Sequence, residues 1–217
     1  MSSSSGPLAW EPFNQGKEMK TRKRPGPARS KQATTRERLI DAAAEVFNTV
    51  GYGGTDSNRL ARAAGYAPAT FYKHFEDKRA IFLAAYERWV LTEWEAIRSE
   101  LDGSHFGPRA LSRVTRKVLE HHRRWAGFRR DLRALAGSDD VVREFRIGQR
   151  RDQLAFVGEL SRRAGGRAGS PSERLYLLLV FERVCDAIAD GEAEALGVSE
   201  ASLLRLLRGS IESIQSR

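Results

Sequence analysis

Apolar residues recur at helical spacing along the chain from about residue 34. Leu39, Ala43, Phe47 and Val50 form one stripe, widened by Ile40 and Val46. Thr34 or Thr35 can cap the start of this helix. Gly51 ends it, because glycine takes left-handed dihedrals cheaply. Thr55 is the expected cap of a second, shorter helix, with Asp56 in its first turn, where a carboxylate suits the helix dipole. Leu60, Ala61 and Ala64 form a narrow inner face that lets a neighbouring helix approach closely. Pro68 suits the first position of a third helix, where a missing N–H costs nothing. Ala67 before it is a poor cap, but Tyr66 and Phe71 stand where a hydrophobic staple would. Phe71 and Phe75 face inward at i, i+4, leaving Thr70, Lys73 and His74 pointing outward.

A longer fourth helix runs from about Asp77 to Glu100, with Ile81, Phe82, Ala85, Trp89 and Val90 on its apolar face. Gly103 to Pro108 is a break, and helical patterns resume at about 109–125, 128–136, 139–163, 172–190 and 200–215. No alternating strand pattern of useful length and no internal repeat interrupts them, so the fold class is all-α. Leu175 to Phe181 is apolar all round its helix, which calls for one side against its own domain and the other against a partner.

Charge adds a functional direction. The 217 residues carry 37 Lys and Arg against 28 Asp and Glu, a net +9 that favours polyanionic partners, nucleic acid first. Residues 1–33 hold +5 of this, residues 34–80 only +1, and the remaining +3 is spread over 81–217. The first 33 residues are rich in Ser, Pro and Gly and poor in apolar side chains, so a disordered basic arm is expected there. The longest apolar run is far short of the ~20 residues that span a bilayer. The serine-rich start lacks the basic and apolar regions of a secretory signal. The single cysteine, Cys185, forms no intramolecular disulfide framework and reads as a buried thiol. A cytoplasmic protein without membrane contact is expected.

The segment 55–75 decides the class of function. Two short helical patterns flank Gly65-Tyr66-Ala67, and the second ends in Phe71-Tyr72-Lys73-His74-Phe75. One helix crossing the DNA backbone and the next lying in the major groove is how such a helix-turn-helix works. Thr35-Arg36-Glu37-Arg38-Leu39-Ile40, Ala42-Ala43-Ala44, Phe47, Gly51-Tyr52 and Thr55 lead in order to Leu60-Ala61, Ala63-Ala64-Gly65, Thr70-Phe71-Tyr72, His74-Phe75 and Lys78. Over about residues 34–82 this string resembles the TetR/AcrR family of bacterial transcriptional regulators. The remainder is similar only in style.

The resemblance implies a homodimer closed by the last two helices, with Leu203, Leu204, Leu206, Leu207, Ile211 and Ile214 completing a four-helix interface. It implies a helix-turn-helix DNA-binding domain over 34–80 and a helical effector-binding and dimerisation domain over 81–217. The partners would be a double-stranded DNA operator and a small-molecule effector, and the function that of a ligand-released repressor. By match, Thr70, Tyr72 and Lys73 would contact phosphates or base edges, with the outward His74 beside them. Lys78 and Thr55 would each hold a phosphate at a helix start. Where the family often has an arginine, this chain has Asn58. Pro68 and Ala69 donate no side-chain hydrogen bond, so their contacts must be apolar, for example to thymine methyls. Hydrogen-bonded readout then falls to Asn58, Thr70 and Lys73. Arg22, Lys23 and Arg24 of the arm are expected to enter a minor groove or lie along phosphates.

Other chemistry is weaker. His121-His122 lacks the ligand spacing of a metal site, and no nucleophile elbow or phosphate-binding glycine loop occurs, so neither metal nor cofactor nor catalysis is expected. A constitutive, ligand-free DNA-binding protein is the other alternative. Arg123-Arg124 and Arg129-Arg130 read as a solvated face. Glu182 must be paired or on a rim, with Arg183, Arg174 or the other subunit as partner, or else serve as counter-charge to a cationic effector. In the family's layout the fourth to eighth helices surround the effector. Trp89, Trp125, Phe128, Phe145, Tyr176 and Glu182 are the pocket candidates, with Trp94 and Phe156 the other large side chains available.

Overall fold

The computed structural model describes residues 34–101, 108–163 and 169–215, and every regular element among them is a helix. The basic arm, with Arg22, Lys23 and Arg24, lies outside the described residues. Helix α1 covers Thr35–Val50. Thr34 starts it with a capping box: the Glu37 N–H donates to the Thr34 hydroxyl (3.2 Å) and the Thr34 N–H to the Glu37 carboxylate (2.7 Å). Leu39, Ile40, Ala43 and Phe47 are buried, whereas Val50 is exposed at the end of the stripe. Gly51 ends the helix with φ +83° and ψ 163°, a mirror-image extended conformation rather than the left-handed helical one expected.

Helix α2 covers Ser57–Ala63, and its cap is Asp56, not Thr55. The Arg59 N–H donates to the Asp56 carboxylate at 2.8 Å. Both residue types can cap, but an ionised acceptor gains more from the positive helix end. Thr55 is left one residue outside the helix and is buried. Gly65, at φ +79°, makes the turn into α3, Pro68–Tyr72. Ala67 provides no side-chain cap, and Tyr66 and Phe71 both lie in the core beneath α3. Helix α4, Lys78–Leu101, starts one residue later than expected because Asp77 caps it, accepting from the Ala80 N–H at 2.7 Å.

The remaining helices are α5 (Pro108–Arg124), α6 (Ala126–Ser138), α7 (Asp140–Arg163), α8 (Pro171–Ala189), α9 (Glu192–Ala195) and α10 (Glu200–Gln215). All but α9 match the expected stretches within a few residues. A four-residue helix is too short to leave a periodic signature.

One hydrophobic core runs from α1 through α2, α3 and α4 into α6 and α7. At its centre Phe47 of α1 meets Phe82 of α4 edge-on (5.0 Å), and Phe82 stacks on Phe128 of α6 (4.5 Å). The core therefore continues past the helix-turn-helix into the C-terminal body. The α1–α6 contact is fixed by polar groups as well. Asn48 donates from Nδ2 to the Arg124 carbonyl (2.7 Å) and accepts from the Phe128 N–H (3.2 Å). Asp131 accepts from the Tyr52 N–H, and Arg79 pairs with Asp139 at 3.1 Å. Glycine is required at 127, where a Cβ would lie 2.3 Å from the Asn48 carbonyl oxygen.

Two smaller apolar clusters join α4, α5, α7 and α8, and α5, α8 and α10. In the latter, Leu207 and Ile211 pack on Leu177, Val180, Phe181 and Val184 of their own chain. Two of the side chains expected at a partner interface are thus used within the chain, while Leu206 is 70 % exposed.

Gly127→Ala should destabilise the protein by about 1–3 kcal/mol through overpacking, although alanine is intrinsically the better helix former by ~1 kcal/mol. Thermal unfolding checks this. An unchanged or raised Tm would mean that α6 can move off α1 at no cost.

Candidate nucleic-acid interface and ligand cavity

Helices α2 and α3 pack together and carry an exposed surface. Phe71 and Phe75 anchor it from beneath, with the Arg36 guanidinium over the Phe75 ring at 5.0 Å. Tyr72 stands off this floor, 57 % exposed, with its ring edge-on to Phe71 at 5.3 Å. Asn58, Ala69, Lys73 and His74 are exposed around it, and Pro68 and Thr70 are half-buried. The structure therefore leaves all seven of these expected residues wholly or partly exposed.

Two expected residues sit elsewhere. The Thr55 hydroxyl oxygen is buried and has no hydrogen-bond partner among the described residues. Lys78 turns its ammonium back into the protein, donating to the carbonyls of Tyr52 (2.8 Å) and Thr55 (3.0 Å) and lying 4.1 Å from the centre of the Tyr52 ring. It braces the loop between α1 and α2. Conversely, Arg59 and Arg62 are exposed cations of α2 that sequence reasoning did not select. The signal was available, because Arg62 follows Asn58 at i, i+4 and so shares its face. Arg59 also donates to the Gly54 carbonyl at 3.2 Å.

The C-terminal body holds a cavity of about 170 Å³ among α4, α5, α6, α7, α8 and α10. Its walls are mostly apolar, including Ile97, Val118, Leu177 and Phe181, with Trp94 and Phe156 stacked at 4.9 Å. Of the six pocket candidates, Glu182 lines this space. Trp89 and Phe128 are buried in the first core, with Trp125 and Phe145 packed against it, and Tyr176 is 55 % exposed on the outer side of α8. Trp89 and Trp125 also line a separate space among α1, α4 and α5.

The polar end of the cavity holds an ion network. Asp186 of α8 accepts from His122 Nδ1 (2.9 Å), Arg129 Nε (2.9 Å) and Arg133 Nη1 (2.5 Å). Burial raises the Asp186 carboxyl, but the His122 hydrogen bond and the Arg129 guanidinium reverse this and hold it well below the usual carboxylate range. Burial also holds His122 below its ordinary value, so the imidazole is neutral at pH 7 and its Nδ1 carries the donated proton. Arg129, expected on a solvated face, is only 8 % exposed, whereas Arg130, Arg123 and Arg124 are exposed. Glu182 pairs with Arg150 of α7 at 2.8 Å, not with the expected Arg183 or Arg174. Those two instead bond Glu192 and the Leu154 carbonyl. A partner from another helix was invisible from the neighbourhood of Glu182 in the chain. Burial pushes the Cys185 thiol up to about 12, leaving no appreciable thiolate at neutral pH.

No helix among the described residues is long and apolar enough to cross a membrane. Residues 39–85 match the family model of bacterial regulatory proteins, tetR family. The chain is 32 % identical over 87 residues to the HTH-type transcriptional regulator AcrR of Shigella flexneri, covering 40 % of this chain and 39 % of that protein. It is 27 % identical over 190 residues to the HTH-type transcriptional regulator UidR of Escherichia coli, covering 83 % of this chain and 92 % of the relative. A TetR-family regulator structure from Rhodococcus sp. superposes with a TM-score of 0.67 at 19 % identity, over 83 % of this chain and 98 % of the other. With its helix-turn-helix, its all-helical body and these relatives, the chain belongs to the TetR/AcrR family of transcriptional regulators.

Proposed function

We propose that the protein is a dimeric, sequence-specific repressor that releases its operator when a small molecule fills the C-terminal cavity. The observation that carries this reading is the placement of α6. Phe128 packs into the core beneath the α2–α3 face, and the next residue, Arg129, lines the cavity. A change in the cavity therefore acts on a helix that also sets the position of α1 and α4.

In this reading Asn58, Thr70, Tyr72 and Lys73 face DNA, with Arg59 and Arg62 adding phosphate contacts. Pro68 and Ala69 supply apolar contacts. A second copy docks on α8 and α10, where Leu175, Tyr176, Leu179 and Leu206 are exposed. Pairing sets the two α3 helices roughly 34–36 Å, or a multiple of that, apart on successive major-groove faces. The effector binds the non-fitting arrangement better, and converting a mostly bound population to a mostly free one needs ~5.5 kcal/mol of differential affinity.

Tyr72→Ala removes an exposed side chain and should leave Tm unchanged. It should weaken binding to DNA from the protein's own upstream region about tenfold or more, as loss of a hydrogen bond to a charged phosphate implies. Wild-type affinity for that DNA in a gel-shift titration, equalled by the variant, would remove Tyr72 from the interface.

The basic arm should contribute nonspecific affinity. Deleting residues 1–30 should make the salt dependence shallower by roughly 0.9 in log–log slope for each phosphate that the arm neutralises. An identical slope in the truncated protein would show that Arg22, Lys23 and Arg24 do not touch DNA.

A further inference from the structure

Glu93 of α4 is an acidic group of the cavity that the ion network leaves unexplained. It lines the cavity, is 7 % exposed, and forms no hydrogen bond or ion pair among the described residues. The cations near it are already committed. Arg129, from α6, is held by both oxygens of Asp186 (2.9 and 3.4 Å) and lies over the Trp89 ring at 5.3 Å. Arg150, from α7, is held by Glu182 through Nη2 at 2.8 Å, while its buried Nη1 has no hydrogen-bond partner among the described residues, and His122, from α5, donates to Asp186. The groups acting on Glu93 besides Arg129 are Glu182 and Asp186, both acidic and both on α8. A buried carboxylate with no partner is costly, so such a group either keeps its proton or awaits a counter-ion. The rest of the lining is predominantly hydrocarbon and aromatic, and a volume of about 170 Å³ suits a compact molecule.

We infer that the cavity takes a compact, apolar monocation of the alkyl- or arylalkylammonium class, with its charge set against the Glu93 carboxylate. The inference rests on reading this cavity as the effector site.

A pH dependence follows. Burial raises Glu93 to about 7, with Arg129 lowering it and Glu182 and Asp186 raising it. The empty cavity therefore holds a carboxyl that is about half protonated at neutral pH, and a bound cation selects the ionised form and expels the proton. Affinity for a permanent cation rises as pH passes upward through 7 and levels off above it. Asp186 is held far below this window by His122 and Arg129, the Arg129 guanidinium titrates far above it, and burial holds His122 below its ordinary value.

The test is calorimetric titration of the full chain with phenethyltrimethylammonium, 3-phenylpropanamide and 3-phenylpropionate at pH 6, 7 and 8. The ammonium should bind in preference to the other two, about tenfold more tightly at pH 8 than at pH 6, with buffer-dependent heats that report proton release. Glu93→Gln, isosteric with the protonated carboxyl, should bind the ammonium more weakly and without pH dependence. If that variant does not fold, the wild-type probe order and pH profile decide alone. Equal or tighter binding of the amide or the carboxylate, ammonium affinity indifferent to pH or to Glu93→Gln, or no ammonium binding overturns the inference. Gel shifts with operator DNA run separately: loss of the cation result with DNA binding intact defeats only this inference, and absent DNA binding with the cation result intact defeats the repressor reading.

Discussion

The contact of Phe82 with Phe47 on one side and Phe128 on the other is the constraint on which the molecule turns. These three rings come from α1, α4 and α6, and they join the helix-turn-helix to the body through one continuous core. Interiors packed at crystal-like density do not deform smoothly, so a shift of α6 is passed to α1 and α4 rather than absorbed. The close approach at Gly127, the two hydrogen bonds of Asn48 and the carboxylate of Asp131 hold the same junction from its rim.

The far side of α6 is held by charge instead of hydrocarbon. Asp186 draws His122 of α5 and Arg129 and Arg133 of α6 onto α8. Replacing such a network with apolar residues is often neutral for stability, but its fixed geometry specifies one register among the helices. Its pH behaviour has a definite sign. The depressed Asp186 carboxyl contributes stability above the ordinary carboxylate range and loses it as pH falls. Glu93, raised to about 7, acts oppositely: its contribution is largest below its unfolded value and is lost as pH rises towards 7. Two buried carboxyls a short distance apart are thus driven in opposite directions, one by partners and one by their absence.

Much of the fold was legible because helices announce themselves locally. Capping at Thr34, the proline start at Pro68 and the apolar stripes gave bounds close to those observed. The α2–α3 surface was legible for the same reason, since exposure of Lys73 and His74 follows from burial of Phe71 and Phe75 one helical turn apart, although Thr70, also expected outward, is half-buried. Errors arose where two local options competed or where the deciding partner was distant in sequence. Asp56 displaced Thr55 as cap, and Lys78 found backbone carbonyls in the loop before α2. Arg129 looked solvated until α8 supplied Asp186, and Glu182 met Arg150 across α7. The cavity was the least legible feature, because its lining comes from six helices and its telling residue, Glu93, sits in a pattern indistinguishable from an exposed helical glutamate.

The central claim is that the α2–α3 faces of two copies read DNA together. Hydroxyl-radical footprinting on the upstream DNA measures this directly. The account predicts two protected patches on one side of the duplex, centred one helical turn, about 10–10.5 base pairs, or a whole multiple of that apart. Uniform protection without boundaries, or a single isolated patch, would contradict it.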